Sequence, residues 1–485
     1  MEKIPKIVIV GAGIAGVGVA RKLLMYGFTE VQIIEASSQP GGRIGGSPFG
    51  KSFVDEGAQY IHGVSLKNPI FQLAKEHGLL QESPNELNSQ WTVLTNTQDK
   101  LHPDLAEQIS DLGVSIIQST YSLAKGKKYA QANSICDIYL KEVKQLIEQW
   151  SSDPTDLITQ KLSILGLVMK EQSVSIGTHD LGDVSVHSWD EYENLKDDLN
   201  FPGGMVALLQ KLLEIIPREK LLLEKPVKQI LWNGSFESED GSLYPVRVVC
   251  EDGDHILADH VIVTVSLGHL KSKGQSLFHP PLPENKLLAI ENIGFGTVDK
   301  IYLEYEIPFW GEDAQRIVLV WKDESPLSGL KPNLVEWWRR ISHFEVLLPK
   351  ERYGHVLLSW ISGREAEFME ALNTEEVSSS ITNVFRQFTG TPSLPQPKNI
   401  LITKWFSNPF IRGSYSYMTV TSDGTMIDAL AEPLPQADNG RSNQVLFAGE
   451  ATHRNLYSTA QGALISGWRE ADRLIEYQSN STCGK

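Results

Sequence analysis

Cysteine is scarce: Cys136, Cys250 and Cys483 are the only three in 485 residues, and no two form a Cys-x-x-Cys pair. Neither a disulfide framework nor a cysteine zinc site is indicated, and a reducing compartment is the simplest setting. The twelve histidines show no metal-ligand spacing such as His-Glu-x-x-His, so no catalytic metal is expected. Positive charge is also short. With 44 Lys and Arg against 60 Asp and Glu, the formal net charge is −16, which argues against a nucleic-acid surface and favours approach of cationic ligands. No uncharged apolar run is long enough to span a bilayer, so no membrane anchor is expected.

What remains is ordinary globular composition, 41% hydrophobic and 21% charged, in a chain longer than one core usually serves. Two or three units are expected. Lys6 to Glu35 organises the reading. Lys6 to Val10 is a buried-strand run, followed directly by Gly11-Ala12-Gly13-Ile14-Ala15-Gly16. The first glycine permits a tight turn, the second lets backbone approach a pyrophosphate, and the third lets a helix lie close to the strand. Val17 to Tyr26 then carries the helix, Gly27 ends it, and Val31 to Ile34 forms a second strand. Glu35 follows where a carboxylate accepts hydrogen bonds from ribose hydroxyls, and the helix N-terminus faces the phosphates. The rival is a secretory signal, since Ile7 to Ala20 is uncharged, but glycines interrupt it and a strand and acid follow.

Past Glu35, the turn-rich Ala36 to Arg43 brings an arginine against something anionic, and Asp55 to Gly63 gathers small residues, Tyr60 and His62. From about Pro84 to Asn200 the pattern becomes helical, with long segments at Ser119 to Trp150 and Pro154 to Glu171. Asp180 to Asp198 is an acidic stretch holding Asp180, Asp183, Asp190, Glu191, Glu193, Asp197 and Asp198, with Trp189 and Tyr192 among them. An amphipathic helix is expected at Met205 to Ile216, then strands at Leu221 to Leu231, Val246 to Cys250, Ile256-Leu257 and Ala258 to Thr264. These form a small β-meander returning to the nucleotide sheet. Glu291 to Thr403 resumes the inserted unit, with strands at Lys300 to Glu306 and Val356 to Ile361. Finally, Val445 to Gly467 repeats the opening logic of strand, small-residue turn and glycine-bearing helix.

With these motifs assembled, the chain resembles flavin-containing amine oxidases of the polyamine oxidase group, of the spermine oxidase and N1-acetylpolyamine oxidase type. The similarity rests on Gly11 to Gly16 with Glu35, Gly41-Gly42-Arg43, Gly57 to Gly63, Gly294 to Lys300, Lys404-Trp405, Arg412 to Tyr417, and Phe447 to His453 through Gly467. It implies an α/β fold, with a Rossmann-like FAD-binding domain of the glutathione-reductase type interleaved with an α+β substrate-binding domain. The boundaries expected are 1–83, 201–290 and 404–485 for the first, 84–200 and 291–403 for the second.

By the same resemblance, Glu35 binds the adenosine ribose, Arg43 approaches the phosphates and Val227 contacts the adenine region through its backbone. Glu450, Ser458, Thr459 and Ala460 surround the pyrophosphate and isoalloxazine, and Trp405 flanks the ring. Gly11, Gly13, Ala15, Gly16, Ala36, Gly42, Gly57, Ala58, Gln59, Tyr60 and Gly449 complete the cofactor positions. Ser414 stands where some relatives carry a flavin-linking cysteine, so the FAD is expected to be noncovalent.

The implied reaction takes hydride from the carbon beside an amine nitrogen and leaves an imine that water hydrolyses; oxygen reoxidises the flavin and yields hydrogen peroxide. Lys300 is similar to the family lysine that holds a water near flavin N5, and His62 matches the spermine-converting type. Tyr415 forms an aromatic wall, with Tyr60 and Thr459 beside the substrate, and Glu191 pairs with a distal substrate ammonium. Val298, where acetylpolyamine oxidases commonly carry asparagine, favours free spermine. The alternatives are a lysine-specific histone demethylase-like amine oxidase, a non-enzymatic carrier on the same dinucleotide fold, and an NAD-dependent dehydrogenase fitting the opening fingerprint alone. The expected partners are a small polyamine and O2, with no nucleic acid and no membrane, and the chain is expected to be a monomer. The cytosol is the default location, with the peroxisome as alternative, although Cys483-Gly484-Lys485 is not a Ser-Lys-Leu-type ending.

Overall fold

Strand Ile7–Val10 is fully buried and carries parallel neighbours on both sides, as an unbroken β-branched run demands. The computed structural model describes residues 4–80, 91–124, 133–328, 334–435 and 443–483. Around Ile7–Val10 a five-stranded parallel sheet forms in the order Val445–Phe447, His260–Val263, Ile7–Val10, Val31–Ile34, Leu221–Leu222. Helix Ile14–Met25 packs on this sheet and against the C-terminal helix Ala460–Cys483; Gly18 admits Leu464, and Gly467 lies against the Ala15 backbone. The first and last glycine motifs, at opposite ends of the chain, therefore meet in space.

A second, six-stranded sheet has the order Asn399–Ile402, Val298–Glu304, Val356–Ser362, His343–Val346, Arg316–Val320, Trp91–Thr95. It carries its own core, built on Ile301, Leu303, Phe344, Leu357 and Phe385. Its strands come from residues 91–95 and 298–402, those of the parallel sheet from residues 7–34, 221–263 and 445–447. The antiparallel pairs Gly294–Gly296 with Tyr415–Tyr417, and Tyr60–Ile61 with Leu199–Asn200, connect the two regions.

Local departures have local causes. The long helix expected from Ser119 to Trp150 is two helices, Pro103–Ala124 and Ile135–Gln149. The second starts at a capping box between Ser134 and Asp137, and residues 125–132 lie outside the described segments. Helix Thr155–Ile176 outruns its expected end at Glu171 and stops at Gly177, which adopts φ 75°. The strand expected at Leu221 to Leu231 is divided, because Glu224 turns to φ 57° and Pro226 follows; Val227–Leu231 joins a separate four-stranded sheet. The boundary near Pro84, the side chains of Trp189 and Asp190, and the Gly484-Lys485 end also lie outside the described residues.

Candidate functional site

Where the two regions meet lies a cavity of about 760 Å³, within the range typical of ligand sites. At one end is the glycine turn. Gly11 sits at φ 108°, and a Cβ there would fall 2.6 Å from Thr264 Oγ1. Thr264 Oγ1 in turn donates to the carbonyls of Val10 (2.9 Å) and Gly11 (3.1 Å), locking the turn from the neighbouring strand. A Cβ on Gly16 would lie 2.0 Å from the Gly11 carbonyl oxygen, so helix and strand meet here only through glycine. Gly13 is the N-cap of helix Ile14–Met25, whose first N–H groups have no intrahelical acceptor and whose dipole favours an anion. Glu35 Oε2 accepts from Ala12 N and its Oε1 from Ser37 N, each at 2.8 Å, so the carboxylate that would receive ribose hydroxyls is already oriented. Val227, Lys225 and Glu251 close this end. The glycine turn that leaves no room for a Cβ at Gly11 or Gly16, the helix terminus lining the cavity and the oriented acid fit a flavin dinucleotide.

Further along the cavity, Arg43 meets Glu450. The guanidinium donates to Glu450 Oε1 and to the Ser414 carbonyl, both at 2.8 Å. Glu450 Oε2 also accepts from the Ser458 N–H (2.8 Å) and the Ser416 hydroxyl (2.5 Å). The anion expected beside Arg43 is thus partly an internal one, and Glu450 fixes Ser458, which is held at φ 67°. Thr459 Oγ1 donates to the Leu456 carbonyl and accepts from Gly462 N at 3.0 Å, so its hydroxyl serves the start of the C-terminal helix. Ser414 Oγ exchanges hydrogen bonds with the Val298 N–H (2.8 Å) and carbonyl (2.9 Å), buried between strands.

Lys300 forms the floor. Strand alternation sends its side chain to the same face as Tyr302, and Nζ donates to the Asp55 carbonyl (2.8 Å), the Gly57 carbonyl (2.9 Å) and Gln59 Oε1 (2.7 Å). Burial pushes its ammonium down to about 8, with Asp55 the principal charge opposing that shift. Three protein acceptors take its three protons, so holding a water requires the amine to release one of them. Gly57 is obligatory in this arrangement, since a Cβ would stand 1.9 Å from the Arg43 carbonyl oxygen and 3.4 Å from the Trp405 ring.

At the other end His62 lines the cavity with Tyr60, their rings 6.4 Å apart. His62 Nδ1 lies 3.1 Å from Asp198 Oδ2, and this hydrogen bond leads the causes that lower the Asp198 carboxyl from its usual range. Tyr415 also faces the cavity, its hydroxyl bonded to the Val174 carbonyl at 2.6 Å, whereas Tyr417 points into a helical core.

All expected positions except Gly16 and Glu191 line this cavity. Gly16 acts beneath it, by packing. Glu191 lies off the cavity lining, and Arg454 takes its carboxylate in a bidentate pair, Nε to Oε2 at 2.9 Å and Nη2 to Oε1 at 2.7 Å. From the same acidic stretch Glu193 and Asp198 reach the cavity instead. Spacing along an irregular loop carries no facing information, so sequence alone could not choose among these acids. Sequence reasoning also missed an inner wall of Glu171, Arg316, His343, Glu345 and Trp360. Trp360 pairs with Lys300 across the sheet, and Glu345 pairs with both Leu358 and Arg316, so these side chains share the Lys300 face. Burial alone would raise the Glu171 carboxyl, but the His343 hydrogen bond and the Arg316 charge hold it below its ordinary value. The available signal was strand register, which needs the partner strands to be known.

Among the described residues no cluster of His, Cys, Asp and Glu forms a metal site, and no helix is long and apolar enough to cross a membrane.

Comparison with known proteins agrees with the geometry. Residues 14–475 match the family of flavin containing amine oxidoreductases. The human peroxisomal N(1)-acetyl-spermine/spermidine oxidase is 41% identical, over 97% of this chain and 95% of that one. Polyamine oxidase 1 of rice is 29% identical over 98% of each. Among solved structures, wild-type putrescine oxidase bound to putrescine superposes with a TM-score of 0.66 at 19% identity, covering 97% of this chain and 99% of that one, a likeness of fold. The glycine cradle, the Lys300 strand and these matches lead to one assignment: the chain belongs to the flavin-containing amine oxidoreductase family, within its polyamine oxidase group, and is an FAD-dependent oxidoreductase.

Proposed function

We propose that this chain oxidises polyamines, free spermine foremost and N1-acetylated polyamines second, to a shorter polyamine, an aminoaldehyde and hydrogen peroxide. The observation that carries the reading is that one cavity joins the dinucleotide cradle to Lys300, His62 and a set of carboxylates suited to a cationic chain. Bound FAD, noncovalent because Ser414 offers no thiol, supplies the hydride acceptor and passes electrons to O2.

The side chains prepare the amine. A carboxylate only accepts hydrogen bonds, so His62 presents Nδ1–H to Asp198, and in the neutral ring Nε2 keeps the lone pair. That nitrogen receives an N–H of the substrate amine, whose ordinary pKa near about 10.4 must fall before hydride can leave. Tyr60 and Tyr415 offer ring faces along which a cationic methylene chain lies, and Trp405 flanks the flavin. Glu193 and Asp198 at one end, with Glu345 on the inner wall, take the role expected of Glu191 toward distal ammonium groups. Lys300, fixed to Gly57 and Gln59, holds the wall beside the ring.

The human and bovine relatives at 41% identity act, by name, on N(1)-acetyl-spermine and spermidine. Val298 is the reason for ranking free spermine first. Product analysis with spermine, N1-acetylspermine and spermidine tests the reading: spermine should give spermidine, an aminopropanal and peroxide, and absence of peroxide with all three would overturn it. The catalytic unit is a monomer. Both 41% relatives are named peroxisomal, which favours that compartment over the cytosol, and imaging of a fluorescently tagged chain decides between them.

A further inference from the structure

Behind Lys300, on the opposite face of its strand, two buried carboxyl groups meet. Asp299 is 0% exposed and Glu370, the last residue of helix Arg364–Glu370, is 4% exposed. Asp299 Oδ1 accepts from Thr403 Oγ1 at 2.9 Å and from Trp405 N at 3.3 Å. Glu370 accepts from the next two backbone N–H groups, Phe406 at 2.7 Å on Oε1 and Ser407 at 2.6 Å on Oε2. The carboxyls therefore grip consecutive peptide units of one short segment, which brings them side by side. Asp299 Oδ2 is buried without a donor from any other side chain or backbone group. Two ionised carboxylates cannot satisfy each other there, because each only accepts; a proton between them supplies the missing donor.

We propose that Asp299 and Glu370 share one proton and act as a positioning pair that holds Trp405 against the cofactor cavity. The proton resides on Asp299, since both oxygens of Glu370 already receive backbone N–H groups. Burial and the neighbouring Glu370 charge hold the Asp299 carboxyl well above the usual carboxylate range. Other charged groups nearby are committed elsewhere. Lys300 Nζ is bonded on the far face, Lys404 Nζ donates to the Glu370 backbone carbonyl at 2.9 Å, and Glu367 accepts from Thr297 Oγ1 at 3.1 Å beside His179. The pair also reaches Lys300 through Thr403, whose hydroxyl accepts the Lys300 N–H at 2.8 Å while donating to Asp299. One buried unit thus sets the segment carrying Trp405 and the strand carrying Lys300. Neither residue touches the cavity, so both act through others.

The inference rests on FAD occupying the cavity and not on which amine is oxidised. The experiment is infrared difference spectroscopy of the FAD-loaded protein in H2O and D2O at neutral pH, with FAD dissociation measured in parallel. Wild type should show the carbonyl stretch of a buried carboxylic acid, and both Asp299→Asn and Glu370→Gln should lose it. Asp299→Asn, whose amide donates to Glu370 as the shared proton does, should keep FAD affinity within about threefold, whereas Asp299→Ala should weaken it about tenfold or more. A carboxylic-acid band unchanged in Asp299→Asn would overturn the proposal, as would equal FAD loss in Asp299→Asn and Asp299→Ala. If Asp299→Ala does not fold, the band and the affinity of the other two variants decide.

Discussion

The nucleotide end and the amine end of the cavity are built by opposite means. The first is backbone: a turn at Gly11, a helix N-terminus at Gly13 and a close packing at Gly16, all within one contiguous stretch. The second is side chains delivered by separate elements: His62 after one short strand, Asp198 before another, Lys300 on the six-stranded sheet and Tyr415 on a strand of a separate pair. Backbone sites fail by collision and are all-or-none. Side-chain sites fail by degrees, because neighbouring groups and water compensate.

The largest effect expected is at the backbone end. Gly16→Ala forces a Cβ to 2.0 Å from the Gly11 carbonyl, an overpacking of about 1–3 kcal/mol that also displaces the phosphate cradle. The purified variant should carry little or no FAD, read from flavin absorbance, and full occupancy would break the contrast. At the amine end, Lys300→Met should retain FAD but slow flavin reduction or reoxidation in stopped-flow measurements by about tenfold to a hundredfold. Unchanged rates would remove Lys300 from the chemistry.

Lys300 also gives a signed pH effect. Its folded-state value of about 8 lies below its ordinary 10.5, so between these the unfolded chain holds the extra proton. Stability toward unfolding should therefore rise with pH across that window, and Lys300→Met should flatten the rise in denaturant titrations at pH 7.5 to about 10. A smaller change is expected from Asp198→Asn, which removes the charge that His62 Nδ1 faces. Spermine kcat/KM should fall about tenfold, with the flavin spectrum unchanged. Smallest is Glu191→Gln: its carboxylate serves Arg454 at a half-exposed site, so spermine KM should move less than about twofold and stability less than about 1 kcal/mol. A large rise in KM would restore Glu191 to the substrate.

Legibility followed the same division. The turn, helix and acid of Lys6 to Glu35 were readable because each depends on neighbours in sequence, and the strands at Val31–Ile34 and Val246–Cys250 were expected at their observed limits. Long helices were recognised but not their breaks, since the capping box at Ser134 competes with a pattern that continues through it. Thr264, Trp360 and Glu345 were not singled out, because nothing local marks a threonine wedged under a glycine turn or a tryptophan registered beside a lysine. Family likeness pointed to Lys300, Tyr415 and Glu191; the first two line the cavity, and Glu191 pairs with Arg454.

By itself the sequence pointed to a dinucleotide and to the stretch that frames it, since φ above zero, close backbone approach and an N-terminal dipole are properties of a few consecutive residues. Tertiary structure decided which carboxylates line the cavity, that His62 faces Asp198, and that Asp299 and Glu370 lie side by side. These two pairs lie 136 and 71 positions apart in the chain. Pairing of Tyr60–Ile61 with Leu199–Asn200 brings His62 to Asp198, and helix Arg364–Glu370, which follows the strand paired with Val298–Glu304, brings Glu370 to Asp299.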